Sequence, residues 1–183
     1  LWSYARAEAQ VAAIADDIAY DAHDIDDGLR AELFALADIA ALPLLGDIVD
    51  EIDARYANIE PARRAHETVR RLITRMIEDV TAESARRLVA LAPRLAADVR
   101  HAPASVIAFS AAMREADADI KGFLYPRMYR HERVARVMTD AEGVLRDLFA
   151  HYTSHPADLP AEWAEGIERG GESSRARRIV DYI

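Results

Sequence analysis

Residues 61–80 carry the pattern that most limits what this chain can fold into. After Pro61, the apolar residues Val69, Leu72, Ile73, Met76, Ile77 and Val80 recur at i, i+3, i+4 and i+7. That spacing lines one face of a helix with 3.6 residues per turn. Proline suits the first helical turn, where its missing N–H forfeits no hydrogen bond. No stretch alternates in twos, as a half-buried strand would. Only seven glycines and seven prolines interrupt 183 residues rich in Ala, Leu, Glu and Arg, so good helix formers are seldom broken. The predicted fold class is all-α, an irregular multi-helix bundle.

The remaining pattern predicts further helices over Glu8 to Asp24 and Leu29 to Ile39, separated by a turn at Asp26, Asp27 and Gly28. Pro43 and Gly46 break the pattern before a third helix bearing Ile48, Val49, Ile52 and Tyr56. Beyond Pro93 and Pro103, helices are predicted from Ser105 to Asp117, from Asp119 towards Met128 and from Arg133 to Tyr152. The last of these should turn Val134, Val137, Met138, Leu145, Leu148 and Phe149 inward. Residues 154–174 read as a loop-rich excursion, and a final helix starts near Ser174. No repeat and no domain boundary stands out, so residues 1–183 are taken as one unit.

The formal net charge of −9 argues against a broad nucleic-acid surface, which carries a basic face. With no cysteine, disulfides, thiolate-held zinc and iron–sulfur clusters are excluded. No apolar run approaches the roughly 20 residues of a membrane span, and no leader pattern is present. A cytoplasmic protein with no membrane partner is expected. The chain begins with Leu1, which suggests a fragment or a processed product.

The chemistry concentrates in residues 12–28, AAIADDIAYDAHDIDDG. At about 100° per residue, Val11, Ile14, Ile18, Ala22 and Ile25 share one face, and Asp16, Tyr20, His23 and Asp24 share the opposite one. A charged stripe is commonly just a solvated face. Against that, a tyrosine is large for such a stripe, and clustered carboxylates repel unless a cation or donor intervenes.

This segment resembles the bacterial dGTPase-like family of deoxynucleoside-triphosphate triphosphohydrolases, members of the HD superfamily. The likeness is concentrated in Glu8–Val11, Ala15–Tyr20 and His23–Gly28, with weaker likeness over 63–80 and 123–134. The resemblance implies the C-terminal portion of an HD domain with its helical extension. It implies hydrolysis of a dGTP-like substrate to deoxynucleoside and inorganic triphosphate, by a metal-activated water attacking the α-phosphorus. The family's metal is a divalent ion such as Mg²⁺ or Mn²⁺, held by a histidine, a His-Asp pair and a distant aspartate. Asp16 matches that last aspartate, so Asp16 is the one catalytic metal ligand implied here. Tyr20 and Asp24 match positions facing the substrate's sugar and phosphates. Asp17 matches a position that is lysine in the vertebrate relative, and its role is left open. Relatives assemble into oligomers, so a homo-oligomer is expected.

The sequence also departs from the family pattern. No histidine precedes Asp16, and the His23-Asp24 dipeptide follows the final aspartate instead of preceding it. A lone carboxylate binds such ions feebly, because they take several ligands in fixed geometry, so this chain alone should be inactive. Cations for a triphosphate are sought in Arg63 and Arg64 and in Tyr129 and Arg130, whose aromatic-plus-guanidinium pairing could stack a base and hold a phosphate. Lys121 could help neutralise the same pocket. Arg63 and Arg64 could equally be a solvated face paired with glutamates, and the Tyr129 cluster could cap a helix or anchor an interface. Two alternatives stay open: a non-enzymatic helical scaffold or regulatory module, and an HD phosphohydrolase acting on another nucleotide.

Overall fold

A computed structural model describes residues 3–167 and 170–183. Among the described residues there is no strand, so the all-α prediction holds. They fall into two compact units, one running to Arg130 and the other from His131 to Ile183.

The first unit is built on α1 (Ala7–Arg30), α3 (Pro43–Arg55), α4 (Pro61–Leu91) and α6 (Ala111–Leu124), with single turns α2 (Leu36–Ile39) and α5 (Ala96–Arg100) between them. Pro61 opens α4 as predicted. The helix ends at Ala92, whose left-handed backbone (φ 47°) lets its N–H reach the Leu88 carbonyl. Leu72, Met76 and Val80 of the predicted stripe are buried, and Ile77 at its edge is half-exposed. They meet Ile18 and Ile25 of α1, Leu45, Ile48 and Ile52 of α3, and Ile120, Phe123 and Leu124 of α6 in one core.

In the first unit the structure differs from the sequence reading in three places. The turn expected at Asp26–Gly28 is helix: α1 runs through to Arg30, whose guanidinium holds Asp26 one turn back at 2.7 Å. Gly28 is a packing residue there, because a Cβ on it would lie 2.2 Å from the ring of Phe34. The helix expected from Leu29 therefore shrinks to the single turn α2, after Glu32 in a left-handed conformation. The two helices expected over 105–128 are one. α6 starts at Ser110, which caps it by accepting the Met113 N–H, and runs into a widened π-helical turn, Tyr125–Tyr129. Pro126 lies in that turn; with no N–H to give the carbonyl one turn back, it does not continue a regular α-helix.

The second unit holds α7 (Glu132–Ser154), α8 (Ala161–Ala164) and α9 (Glu172–Tyr182), with a 3₁₀ turn, Pro156–Asp158. Its core is Leu159, Ile167 and Ile179, flanked by Phe149, Tyr152, Trp163 and Tyr182. The loop-rich excursion thus supplies Leu159 and Ile167 to the packing. The inward face expected on α7 is corrected: Val137, Met138 and Leu145 are exposed, and only its last turns, at Phe149 and Tyr152, join this core. A helix periodicity names a face, but a 53-residue unit has too few partners to cover a 23-residue helix along its length.

Candidate functional site

The acidic column of α1 is where the candidate residues gather. Asp16 and Tyr20 are exposed, and Asp24, two turns after Asp16, is half-buried. Tyr129 in the π-helical turn donates its hydroxyl to the Asp24 carboxylate. That bond, above all, pushes the Tyr129 phenol up to about 12, since losing the proton would set two anions together. Tyr20 adds to the field around the same phenol. The rings of Tyr125 and Tyr129 meet edge to face at 6.5 Å. Arg130 lies over the Tyr125 ring and donates to its hydroxyl at 3.0 and 3.2 Å. Tyr20, Asp24, Tyr129 and Arg130 therefore form one surface beside Asp16.

Arg63 and Arg64 lie elsewhere, on the first turn of α4. Arg64 grips Asp53 of α3 with two nitrogens. Arg63 lines a small hollow with Tyr56, Ile59 and Arg70. No described bond joins either arginine to α1. His23 is exposed on the flank of α1 that faces α4, apart from Asp24.

A group missed in the sequence lies behind the column. Asp21 is 2% exposed and pairs with Asp117 of α6. Burial is the main reason its carboxyl is pushed up to about 8; the hydrogen bond with Asp117 adds to the rise, and Lys121 opposes it. Lys121 Nζ stands 2.9 Å from Asp117 and 3.7 Å from Asp17. Lys121 thus belongs with the α1 column, and Asp17 has a cation beside it. One Asp21 oxygen, Oδ2, is buried without a hydrogen-bond partner. On the helix Asp21 lies between the apolar and acidic faces, and its partner is 96 positions away, so only the Asp117–Lys121 spacing on α6 offered any signal.

The fit to a divalent metal is poor for these residues alone. Among the described residues, no three His, Cys, Asp or Glu side chains gather as a metal-holding group. Asp16 stands alone, and a single carboxylate does not satisfy the six or so ligands that Mg²⁺ or Mn²⁺ takes.

The chain is similar in sequence to known proteins over its whole length. Residues 107–183 match the phosphohydrolase-associated domain. The chain is 52% identical over 183 residues to a deoxyguanosinetriphosphate triphosphohydrolase-like protein of Azorhizobium caulinodans, aligning all of this chain with 46% of that protein. Proteins of the same name from Bradyrhizobium diazoefficiens and Parvibaculum lavamentivorans are 55% and 49% identical, again with all of this chain and 46% of theirs. This chain corresponds to the C-terminal part of a dGTPase-like protein. It spans about half the length of the curated relatives it matches. In the dGTPase-like frame, the acidic column opens the matched region on α1, and Tyr129 and Arg130 fall inside the phosphohydrolase-associated segment. The hydrogen bond from Tyr129 to Asp24 thus ties that segment to the column. No helix among the described residues is long and apolar enough to cross a membrane.

Proposed function

We propose that this chain, joined to the portion its relatives have beyond it, hydrolyses a dGTP-like deoxynucleoside triphosphate to deoxynucleoside and inorganic triphosphate. The observation that carries the reading is the placement of Tyr20 and Asp24 at four-residue steps after Asp16, with Tyr129 fixing Asp24. It is supported by the likeness to deoxyguanosinetriphosphate triphosphohydrolase-like proteins and by the phosphohydrolase-associated segment at residues 107–183.

In this reading Asp16 contributes one carboxylate to a divalent metal, Mg²⁺ or Mn²⁺, and the other ligands come from outside this chain. Tyr20 and Asp24 border the sugar. Tyr129 holds Asp24 through its hydroxyl, so the carboxylate is oriented before substrate arrives. A triphosphate approaching a column of aspartates meets repulsion, and Lys121 and Arg130 lie where they reduce it. Arg63 and Arg64 lie apart from this column, so they would act as phosphate contacts only for a substrate that also reaches the start of α4. The Arg64–Asp53 pair is exposed, and such pairs contribute only about 0–1 kcal/mol, so phosphate oxygens can compete for that guanidinium. The assembled enzyme is proposed to be a homo-oligomer in the cytoplasm.

The test is metal content measured beside the rate of deoxyguanosine release from dGTP, in the assembled protein. Asp16→Ala should abolish both. Tyr20→Phe and Asp24→Asn should retain the metal and lower the rate by about 10–100-fold, as for groups outside the metal's own ligands. Asp16→Ala with its metal and near-normal turnover would remove the assignment.

A further inference from the structure

Two helices of the first unit meet carboxyl to carboxyl. Asp17 and Asp21 stand one turn apart on α1, and Asp117 and Lys121 one turn apart on α6. Asp21 pairs with Asp117, and Asp17 with Lys121, so the two helices run antiparallel at this contact. Lys121 Nζ lies 2.9 Å from Asp117 Oδ1 and 3.7 Å from Asp17 Oδ1. One cation thus stands between the edge of the acidic column and a buried carboxyl pair. Asp21 is almost wholly buried, and its Oδ2 has no donor on it. An ionised carboxylate only accepts hydrogen bonds, so Asp21 and Asp117 bond to each other only if one of them keeps a proton. Two bare carboxylates in hydrogen-bond reach, out of water, repel strongly. The other titratable groups nearby are Tyr20 and Asp24 on α1 and Tyr129 in the π-helical turn, whose phenol feels Asp21 as well as Asp24. Among the described interactions, α3 and α4 bring no charged group to the pair.

We infer that Asp21 and Asp117 share one proton and act as positioning residues for Lys121, the proton deciding whether that ammonium serves the acidic column or the buried pair. With the proton held, the pair carries one negative charge, and Lys121 is divided between Asp117 and Asp17, the neighbour of Asp16. When the proton leaves to solvent, the pair carries two, and the ammonium is drawn from Asp17 towards α6 and the interior. The column then loses that cation. Burial, and then the bond to Asp117, raise the Asp21 carboxyl to about 8. Lys121 therefore serves the column at neutral pH and is withdrawn on the alkaline side. In a triphosphate hydrolase, withdrawal weakens substrate binding and leaves the metal in place. That consequence for turnover rests on the proposed function; the placement of Lys121 does not.

Lys121 is the single lysine of the chain, so it can be watched alone. Reductive methylation with carbon-13 formaldehyde gives one lysine signal, resolved from that of the N-terminal amine, and its shift is followed against pH by NMR in the 183-residue chain. The parent should show two steps. One falls near 8, as the pair loses its proton, and a later one comes as the ammonium itself titrates, above its ordinary value. Asp21→Asn puts a permanent donor where the proton was and should show only the later step. Asp117→Asn should also lack the step near 8, so a folding failure of one variant leaves the other to decide. The step near 8 persisting in either folded variant, or missing from the parent, overturns the inference. In the assembled protein, KM for dGTP should rise roughly tenfold across that step with little change in kcat, the worth of one charge-assisted hydrogen bond. Asp21→Asn should hold KM level over the same range. Identical KM profiles for parent and variant overturn the inference. A parent that does not hydrolyse dGTP overturns the proposed function alone, and the methyl titration then decides the role of the pair.

Discussion

Gly28→Ala sets helix propensity against packing. Gly28 lies in the last turns of α1, where alanine in place of glycine ordinarily stabilises a helix by up to about 1 kcal/mol. The structure reverses the sign. The new Cβ would stand 2.2 and 2.3 Å from two carbons of the Phe34 ring, far inside the 3.5–4.0 Å at which carbons attract. Phe34 is buried and cannot withdraw freely, because its ring meets Phe123 edge to face at 5.1 Å. Forced overpacking costs about 1–3 kcal/mol, and disturbing the aromatic pair adds about 0.5–1.5 kcal/mol. Set against the propensity gain, the variant should be less stable by about 1–3 kcal/mol. The assay is urea unfolding followed by circular dichroism, with Phe34→Leu and the double variant completing a cycle. The double variant should recover a coupling energy of about 1 kcal/mol or more, since the two residues touch. If Gly28→Ala alone is as stable as the parent or more so, Gly28 is ordinary helix and the packing argument fails. Arg127 lies 4.3 Å over the Phe123 ring, so exchange rates at residues 125–129 should rise with the strain.

Three further outcomes are expected. Asp21 has its folded pKa raised from 3.8 to about 8, so its contribution to stability is complete below about pH 4 and is lost as pH rises through about 8. Asp21→Asn should therefore flatten the fall in unfolding free energy over that window, by an amount on the order of a few kcal/mol, and parallel pH profiles for the two proteins would contradict it. Met76→Ala, at a fully buried site on α4, should lower stability by about 2–5 kcal/mol; a change near zero would show that α4 is not the core helix. Arg64→Met should shift stability by no more than about 1 kcal/mol, because its pair with Asp53 is exposed. If it also leaves the assembled protein's KM for dGTP unchanged, Arg64 has no phosphate contact.

Local pattern was enough for some features of this chain. The stripe from Val69 to Val80 and the proline before it specify α4, because side-chain direction along a helix repeats every 3.6 residues whatever the helix packs against. The same periodicity put Asp16, Tyr20 and Asp24 on one side of α1 and named the residues worth testing. Only the tertiary structure decided which faces found partners. The Tyr129 hydroxyl reaches Asp24 across 105 positions, and Asp117 meets Asp21 across 96; the first pairing leaves no trace in nearby sequence, and the second only the Asp117–Lys121 spacing on α6. Gly28 reads as a turn residue until Phe34 is seen against it. Ile77 and Val137 continue apolar stripes as well as Leu72 does, yet they stay exposed while Leu72 is buried. A sequence fixes the direction in which a side chain leaves its helix, and burial depends on what arrives from elsewhere in the chain to meet it.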